Sequence, residues 1–296
     1  MMGLVARLAL GLWLAAAVAA PRPRALRVCA DPNNMPFSNR AGQGFENRIA
    51  RLIGRDLREP VAYSWWAQRR GFIRNTLSAE RCDVVIGIVA GDDQVRTTTP
   101  YYSSTYVFVT RRSSRLRLAS MNDPRLHRLR IGIHVIGDGY NSLPPGVALA
   151  GRGIVRNVVG YSIYGNYARP SPPSALITAV AHGDIDVAIA WGPLAGYYAA
   201  CSPVPLDVSP VTTTMAGNGI PFSYAIAMGV RPSDTAMQAT LQHELDTRGE
   251  AIRTILREYH IPIAHDGGGA GAGARTSARA QAIADASHRA PGENRL

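Results

Sequence analysis

Two short polar stretches, "DPNN" and "QRR", supply the side chains best suited to binding a ligand. Their carboxylate, amide and guanidinium groups can orient a ligand through hydrogen bonds and ion pairs. Asp and Asn in "DPNN" also favour a turn in which they bond to their own backbone. For the arginines, the alternatives are a solvated loop and a site for an anion or acidic partner. The residues concerned are Asp31, Asn33, Asn34, Gln68, Arg69 and Arg70.

Aromatic residues accompany these polar groups. Trp191 ends the apolar run "DIDVAIAW" and is followed by Gly-Pro, while Trp65 and Trp66 end "VAYSWW" and Phe37 follows "DPNN". Aromatic side chains next to arginine suit a polypeptide ligand better than a free amino acid. Packing in the hydrophobic core is the alternative interpretation for Trp191.

Catalytic and metal-binding patterns are missing from the sequence. It contains no GxSxG, HExxH or phosphate-binding loop, and its seven histidines include no set at metal-ligand spacing. In "IGDGYN", backbone N–H groups are a weak candidate for anion binding, because Asp138 brings a negative charge there. We therefore predict no catalytic residues, no metal and no cofactor, but we keep Asp138 among the residues of the cleft.

The charge of the chain indicates an acidic partner. The 296 residues carry a formal charge of +11, and all 32 basic residues are arginine. A basic surface attracts nucleic acid, anionic membranes or acidic proteins. The sequence shows no zinc-finger spacing, no RNP-like aromatic strand and no long basic run, so nucleic acid ranks last. An acidic protein ranks first, because the chain is predicted to be exported.

The two ends of the chain differ in composition from the rest. Residues 1–19 form a predicted secretory signal peptide, with Arg7, an apolar stretch and "AVA" at the cleavage point. This stretch is too short for a confident membrane span, so we expect a soluble periplasmic protein; a retained anchor is the alternative. Residues 265–296 are rich in Gly, Ala and Ser and are predicted to be disordered.

Strand and helix patterns alternate between these ends and predict an α/β fold with two lobes. Each lobe is a mostly parallel sheet flanked by helices, and two crossing segments join them. The predicted ranges are 25–111 and 223–264 for the first lobe and 112–222 for the inserted second lobe. We expect "RGFIRNTLSAE" to be a helix, and the long helix that starts near residue 235 to break near Gly249.

No disulfide is predicted. The chain has three cysteines, Cys29, Cys82 and Cys201. Cys29 lies late in one strand and Cys82 precedes another. In parallel neighbours with simple register, the two would be too far apart for a bridge, which needs Cα atoms within about 7 Å.

Five segments, in order, resemble the type II periplasmic solute-binding proteins: "GFENRIA", "RCDVVIGI", "TTPYYSSTYVFVTR", "IGIHVIG" and "GDIDVAIAW". The resemblance implies a ligand cleft between the lobes, at the carboxyl ends of the strands. It also implies hinge residues in the crossing segments, for which we name Tyr101, Tyr102, Thr110 and Tyr224.

Amino-acid receptors of this type hold the ligand carboxylate with an Arg nine residues before the Pro-Tyr of the first crossing segment. They hold the ammonium with an Asp five residues after the Asp that starts the second-lobe strand. Counting from Pro100 and from Asp186 gives Gly91 and Trp191. Both ionic anchors are missing, and an uncompensated charge in a closed cleft costs several kcal/mol. An amino-acid receptor is therefore not expected.

Longer segments, above all "QRRGF" and "WGPLAGYYA", are similar to the quinoprotein-dehydrogenase-associated binding proteins, the MoxJ/XoxJ-like accessory proteins of methanol oxidation. That resemblance implies a periplasmic protein, not an enzyme, that assists the maturation or activation of a PQQ-dependent methanol or alcohol dehydrogenase. The cytochrome c of that system is a further candidate partner. The alternative is the solute receptor of an ABC importer for a small organic ligand.

Overall fold

The computed structural model describes residues 24–136, 143–163 and 172–264. The predicted signal peptide, Asp138 and the predicted disordered tail lie outside these ranges. The strands in chain order are β1 (Leu26–Ala30), β2 (Asn33–Asn34), β3 (Ser38–Asn39), β4 (Val61–Trp65), β5 (Val84–Val89), β6 (Arg96–Thr97), β7 (Tyr102–Arg111), β8 (Ile131–Val135), β9 (Val158–Ser162), β10 (Val187–Trp191), β11 (Leu206–Pro210) and β12 (Ser223–Val230). The α-helices are α1 (Phe45–Asp56), α2 (Phe72–Asn75), α3 (Pro144–Ala150), α4 (Ala175–His182), α5 (Gly192–Ala200) and α6 (Thr235–Glu258).

Each lobe is built on a sheet with a parallel centre. In the first, the strand order is β4-β1-β5-β12, with β1 parallel to β4 and β5. In the second, β10 is parallel to β8 and β8 to β9, while β7 and β11 add antiparallel strands. Separate hydrophobic cores lie against the two sheets. The predicted α/β architecture with two lobes is confirmed.

Strand β7 crosses between the lobes. Its first part pairs with β12, as far as Thr105 opposite Ser223, and its second part pairs with β10, from Tyr106 opposite Trp191 onward. One strand therefore belongs to both sheets, and β12 provides the return crossing that the sequence predicts. The predicted lobe boundary between residues 111 and 112 lies at the end of β7, beyond this change of partner.

Helix α1 shows how the local sequence positions the loop before it. Phe45, Ile49 and Ile53 recur on one face and are fully buried against the first-lobe core. At the start of the helix, Asn47 Oδ1 accepts from the backbone N–H groups of Gly44 and Asn39, each at 3.1 Å. The bond from Gly44 satisfies a donor that the start of the helix leaves free, and the bond from Asn39 fixes the β2–β3 hairpin against α1.

Two helices differ from the sequence prediction. Helix α6 continues through Gly249 without a break, because Leu245, Ile252 and Leu256 on either side pack into the first-lobe core. That burial outweighs the cost of about 1 kcal/mol for a mid-helix glycine. Helix α2 is limited to four residues, and the Thr76 hydroxyl donates to the Phe72 carbonyl at 2.7 Å, a bond that competes with continued helix.

The prediction of no disulfide is wrong: Cys29 and Cys82 are bonded, with their Cα atoms 5.4 Å apart. The expected register is present, since Cys29 lies opposite Val85. The chain, however, is not extended before β5; it bends at Arg81 and Asp83, on either side of Cys82. Both cysteines are buried in a small cluster with Phe72 and Leu77. Cys201 is free and exposed.

Removal of this disulfide should destabilise the first lobe. We expect the double variant Cys29→Ala/Cys82→Ala to lose about 2–4 kcal/mol of unfolding free energy, because the cross-link restricts the unfolded chain over 53 residues. Urea unfolding monitored by circular dichroism measures the loss. Cys201→Ala, at an exposed position, should differ from the original protein by no more than about 0.5 kcal/mol. If reductant left the urea unfolding midpoint of the original protein unchanged, that result would contradict a stabilising role of the disulfide.

Candidate functional site

The carboxyl ends of β1 and β4 are joined by the Asp31 side chain, which is buried just after β1. Its Oδ1 accepts from the Asn33 backbone N–H at 2.8 Å, and its Oδ2 accepts from the Gln68 backbone N–H at 2.6 Å. The first bond closes the turn that "DPNN" favours. The second ties the loop after β4 to the loop after β1. Asp31 therefore organises this end of the sheet.

The amides of Asn34 and Gln68 lie next to Asp31. Asn34 Nδ2 donates to Gln68 Oε1 at 3.4 Å, and Gln68 Nε2 donates to the Gly87 carbonyl at 3.5 Å. These bonds are long for N–H···O contacts. The two amides are therefore held loosely and can exchange these contacts for those of a ligand at little cost.

Glu46 lies fully buried beneath the same loops, on the first turn of α1. Burial raises the pKa of Glu46 to about 8, and the negative charge of Asp31 adds to the shift. A Cβ atom at Gly87 would come within 2.2 Å of Glu46 Oε1, so only glycine allows the carboxyl group this position against β5. Sequence analysis missed Glu46; its place inside "GFENRIA", among residues that face the core, was the available signal.

Trp191 packs between the two hydrophobic cores and does not stand alone at the mouth of the cleft. It is partly buried, and its ring contacts those of Tyr106 and Tyr224 at centroid distances of 5.6 and 5.8 Å. It contacts the cores of both lobes, as does Tyr224. The Gly-Pro that follows it begins α5 and does not form a turn, with proline in the first turn where its missing N–H is harmless.

The other predicted aromatic residues divide into packed and accessible ones. Phe37 packs on Phe45 with ring centroids 5.4 Å apart. Trp65 stacks on Tyr63 at 4.7 Å and is partly buried, whereas Trp66 is 37% exposed. Arg69 and Arg70 are exposed in the loop that follows. The structure therefore brings Trp66 and the arginines to the surface and directs Phe37 into the core.

The four predicted hinge residues lie at different distances from the point where β7 changes its pairing from β12 to β10. Tyr102 is buried and pairs with Ile226, and Tyr224 pairs with Ser104, both close to it. Tyr101 precedes them and donates from its hydroxyl to the Ile86 carbonyl at 3.1 Å. Thr110 lies further along, inside the second sheet, opposite Val187 and Asp207. A hinge role for these residues remains a prediction.

Helix α5 supplies contacts between the lobes that sequence analysis missed. The Tyr198 hydroxyl donates to the Met35 carbonyl at 3.0 Å, and Tyr197 stacks on Tyr259 at 5.9 Å. A Cβ atom at Gly196 would lie 2.1 Å from the His260 carbonyl oxygen, so glycine permits this close approach. The paired tyrosines of "GYY", directly after a strand end, were the available signal.

The positions of the expected amino-acid anchors carry no charge. Gly91 has a φ of 78°, in the left-handed region that favours glycine, and Trp191 is engaged with Tyr106 and Tyr224. Within the described ranges, no group of three or more His, Cys, Asp or Glu side chains is placed to hold a metal ion.

The buried carboxyl group of Glu46 should make stability depend on pH. The folded protein retains the Glu46 proton up to about pH 8, whereas an unfolded chain releases it near pH 4.5. This contribution is complete below pH 4.5 and is lost as pH rises through 8, with a slope of at most about 1.4 kcal/mol per pH unit. Glu46→Gln should remove that decline and be the more stable protein at pH 8.5.

Urea unfolding at a series of pH values from 5 to 9 measures this effect. Glu80→Gln, at an exposed position, is the matched control and should keep the original slope. Parallel curves for the original protein and Glu46→Gln would show that Glu46 is ionised in the folded state.

Comparisons with known proteins place the chain among binding proteins. No protein-family model matches it. It is 34% identical over 261 residues to Protein MoxJ of Methylorubrum extorquens, covering 84% of this chain and 85% of that protein. The crystal structure of periplasmic binding protein XoxJ from Methylobacterium extorquens AM1 aligns with a TM-score of 0.66 and 36% identity, covering 81% of this chain and all of that one.

A more distant structure agrees in fold alone. An ancestral cationic amino acid solute binding protein aligns with a TM-score of 0.61 at 17% identity, over 80% of this chain and 95% of that one. At this identity the likeness shows the fold alone, whereas the higher identities single out one group. The chain belongs to the MoxJ family and has the two-lobed fold of the periplasmic binding proteins.

Proposed function

We propose that this protein is a periplasmic accessory protein of methanol oxidation that binds a PQQ-dependent alcohol dehydrogenase and assists its maturation or activation. Membership of the MoxJ family, at 34% identity over 84% of the chain, is the observation on which the proposal rests. The protein acts by binding and is not an enzyme. The cytochrome c of the same system is a further candidate partner.

The chemistry of the cleft supports this function over amino-acid transport. A zwitterion bound between the lobes needs a cation for its carboxylate and an anion for its ammonium, and Gly91 and Trp191 offer neither. The Asp31 carboxylate already accepts from two backbone N–H groups. Groups that can contact a ligand here are the neutral amides of Asn34 and Gln68, the exposed Arg69 and Trp66.

The surface chemistry supports a protein partner. A chain with a formal charge of +11 attracts acidic proteins and accelerates their association. Trp and Arg are the residue types that contribute most at protein interfaces, and Trp66, Arg69 and Arg70 are exposed together after β4. We place the partner-binding residues at this end of the first lobe, with Asp31, Asn33, Asn34 and Gln68 beside them.

The proposed location follows from the leader and the relatives. Residues 1–19 have the pattern of a signal peptide, and the XoxJ relative is a periplasmic binding protein. Among the described residues, none of the helices has the length and apolar character needed to traverse a bilayer.

Capture of the dehydrogenase tests the proposal. Residues 20–296, immobilised and exposed to periplasmic extract of the source cells, should retain a quinoprotein dehydrogenase identifiable by mass spectrometry. Arg69→Ala/Arg70→Ala should weaken binding of the purified dehydrogenase by roughly tenfold, since interface arginines commonly contribute this much. Arg128→Ala/Arg156→Ala, exposed on the second lobe, removes the same charge and should bind normally.

The importer alternative predicts a different result. Recovery of a transporter permease without any dehydrogenase would overturn the proposal. So would a small organic solute that stabilises the protein at micromolar concentration while the dehydrogenase fails to bind.

A further inference from the structure

The outer side of β4 is a free sheet edge. The Leu26 N–H donates to the Pro60 carbonyl and the Trp66 N–H to the Ala30 carbonyl, each at 3.0 Å. The backbone N–H and C=O groups of the even-numbered residues of this strand therefore point toward β1. Successive residues of a strand point their backbone groups to opposite sides. Those of Val61, Tyr63 and Trp65 therefore point outward, and within the described ranges they have no hydrogen-bond partner.

Each face of this edge ends in a tryptophan covered by an arginine. The Arg40 guanidinium lies 5.8 Å from the ring centroid of Trp65 on one face, and Trp65 also stacks on Tyr63. On the other face, Arg81 lies 5.8 Å from the ring of Trp66. These contacts hold the arginine side chains in place and lower the entropy that they lose on binding.

The charges along the edge are mostly positive. Residues 61–81 contain four arginines and one glutamate, and Arg40 approaches from the β2–β3 hairpin. Arg40, Arg69, Arg74 and Arg81 are exposed and form no ion pair with any residue that the structure describes. Elsewhere many arginines are paired, for example Arg130 with Asp186 at 2.9 Å and Arg248 with Asp56 at 2.6 Å. Carboxylates must come from outside to balance the charge of this edge.

We propose that the free edge of β4 binds an extended acidic segment of the partner polypeptide, which adds to the sheet as a further strand. Backbone groups of the segment pair with those of Val61, Tyr63 and Trp65, while carboxylates on its two faces meet Arg40 and Arg81. Exposed sheet edges promote pairing with another chain, and the aromatic rings supply apolar contact beside it. The inference rests on the proposed function, since the segment belongs to the dehydrogenase.

A second copy of this chain fits the edge less well. Two copies paired through β4 would bring their arginines together, and like charges placed opposite one another are destabilising. Nucleic acid would match the charge but offers no peptide groups to the edge. An acidic polypeptide satisfies both the charge and the backbone.

Hydrogen exchange gives a readout specific for strand addition. In the free protein, the amides of Val61, Tyr63 and Trp65 should exchange quickly, whereas those of Ala62 and Ser64, which face β1 in the register, should be protected. Saturation with the purified dehydrogenase should slow the exchange of the first three amides by at least about tenfold and leave the other two unchanged. NMR exchange rates on the protein of residues 20–296 measure both sets.

Charge reversal tests the side-chain part of the proposal. Arg40→Glu/Arg81→Glu should weaken the affinity for the dehydrogenase by roughly tenfold or more, and the remaining affinity should depend less on salt. Arg128→Glu/Arg156→Glu makes the same change of charge at exposed positions of the second lobe and should have little effect. Thermal unfolding checks that the original protein and both double variants are folded.

The outcomes separate this inference from the proposed function. If the dehydrogenase binds the original protein and Arg40→Glu/Arg81→Glu equally well, or binds without protecting the three outward amides, the edge is not the docking surface and the proposed function stands. Failure of the original protein to bind the dehydrogenase overturns both. A dimer in sedimentation of the original protein alone, with the amides of Val61, Tyr63 and Trp65 protected in it, would assign the edge to a second copy instead.

Discussion

The contact of Trp191 with Tyr106 and Tyr224 joins the two hydrophobic cores, and the arrangement of the lobes depends on it. Tyr106 lies on β7 just where this strand changes partners, Trp191 ends β10, and Tyr224 lies on the returning strand β12. Edge-to-face ring contacts are directional, so the three rings fix both the separation and the angle of the crossing strands. At position 191, where amino-acid receptors of this fold have an aspartate, this chain has a tryptophan. In the structure, that tryptophan makes an aromatic contact between the two cores.

Regular elements could be predicted where one periodicity governs them. The apolar spacing of Phe45, Ile49 and Ile53 predicts α1 with its buried face. These signals are local, because a helix shows its buried face in its own sequence. The order of five segments predicts the fold through their resemblance to the type II periplasmic solute-binding proteins.

Features that depend on contacts between distant segments could not be predicted in this way. The Cys29–Cys82 bond requires a bend before β5 that no residue type in the sequence indicates. The uninterrupted course of α6 through Gly249 depends on burial against another element, and the same is true of Trp191. For the candidate site, residue types indicated that Asp31 and Gln68 belong to one region, whereas their hydrogen bond and the buried Glu46 depend on how three strands are packed.

The hydrogen bond from Tyr198 to Met35 connects the hairpin loop of the first lobe to the second lobe. Met35 follows Asn33 and Asn34 in the hairpin loop, and its carbonyl group is held by α5, which also packs against His260 through Gly196. A molecule that displaces this loop must either break that bond or move α5 with the loop. Helix α5 begins directly after Trp191 at the end of β10, so its movement would displace that strand end. The hairpin loop of the first lobe and the end of β10 in the second lobe are therefore mechanically coupled.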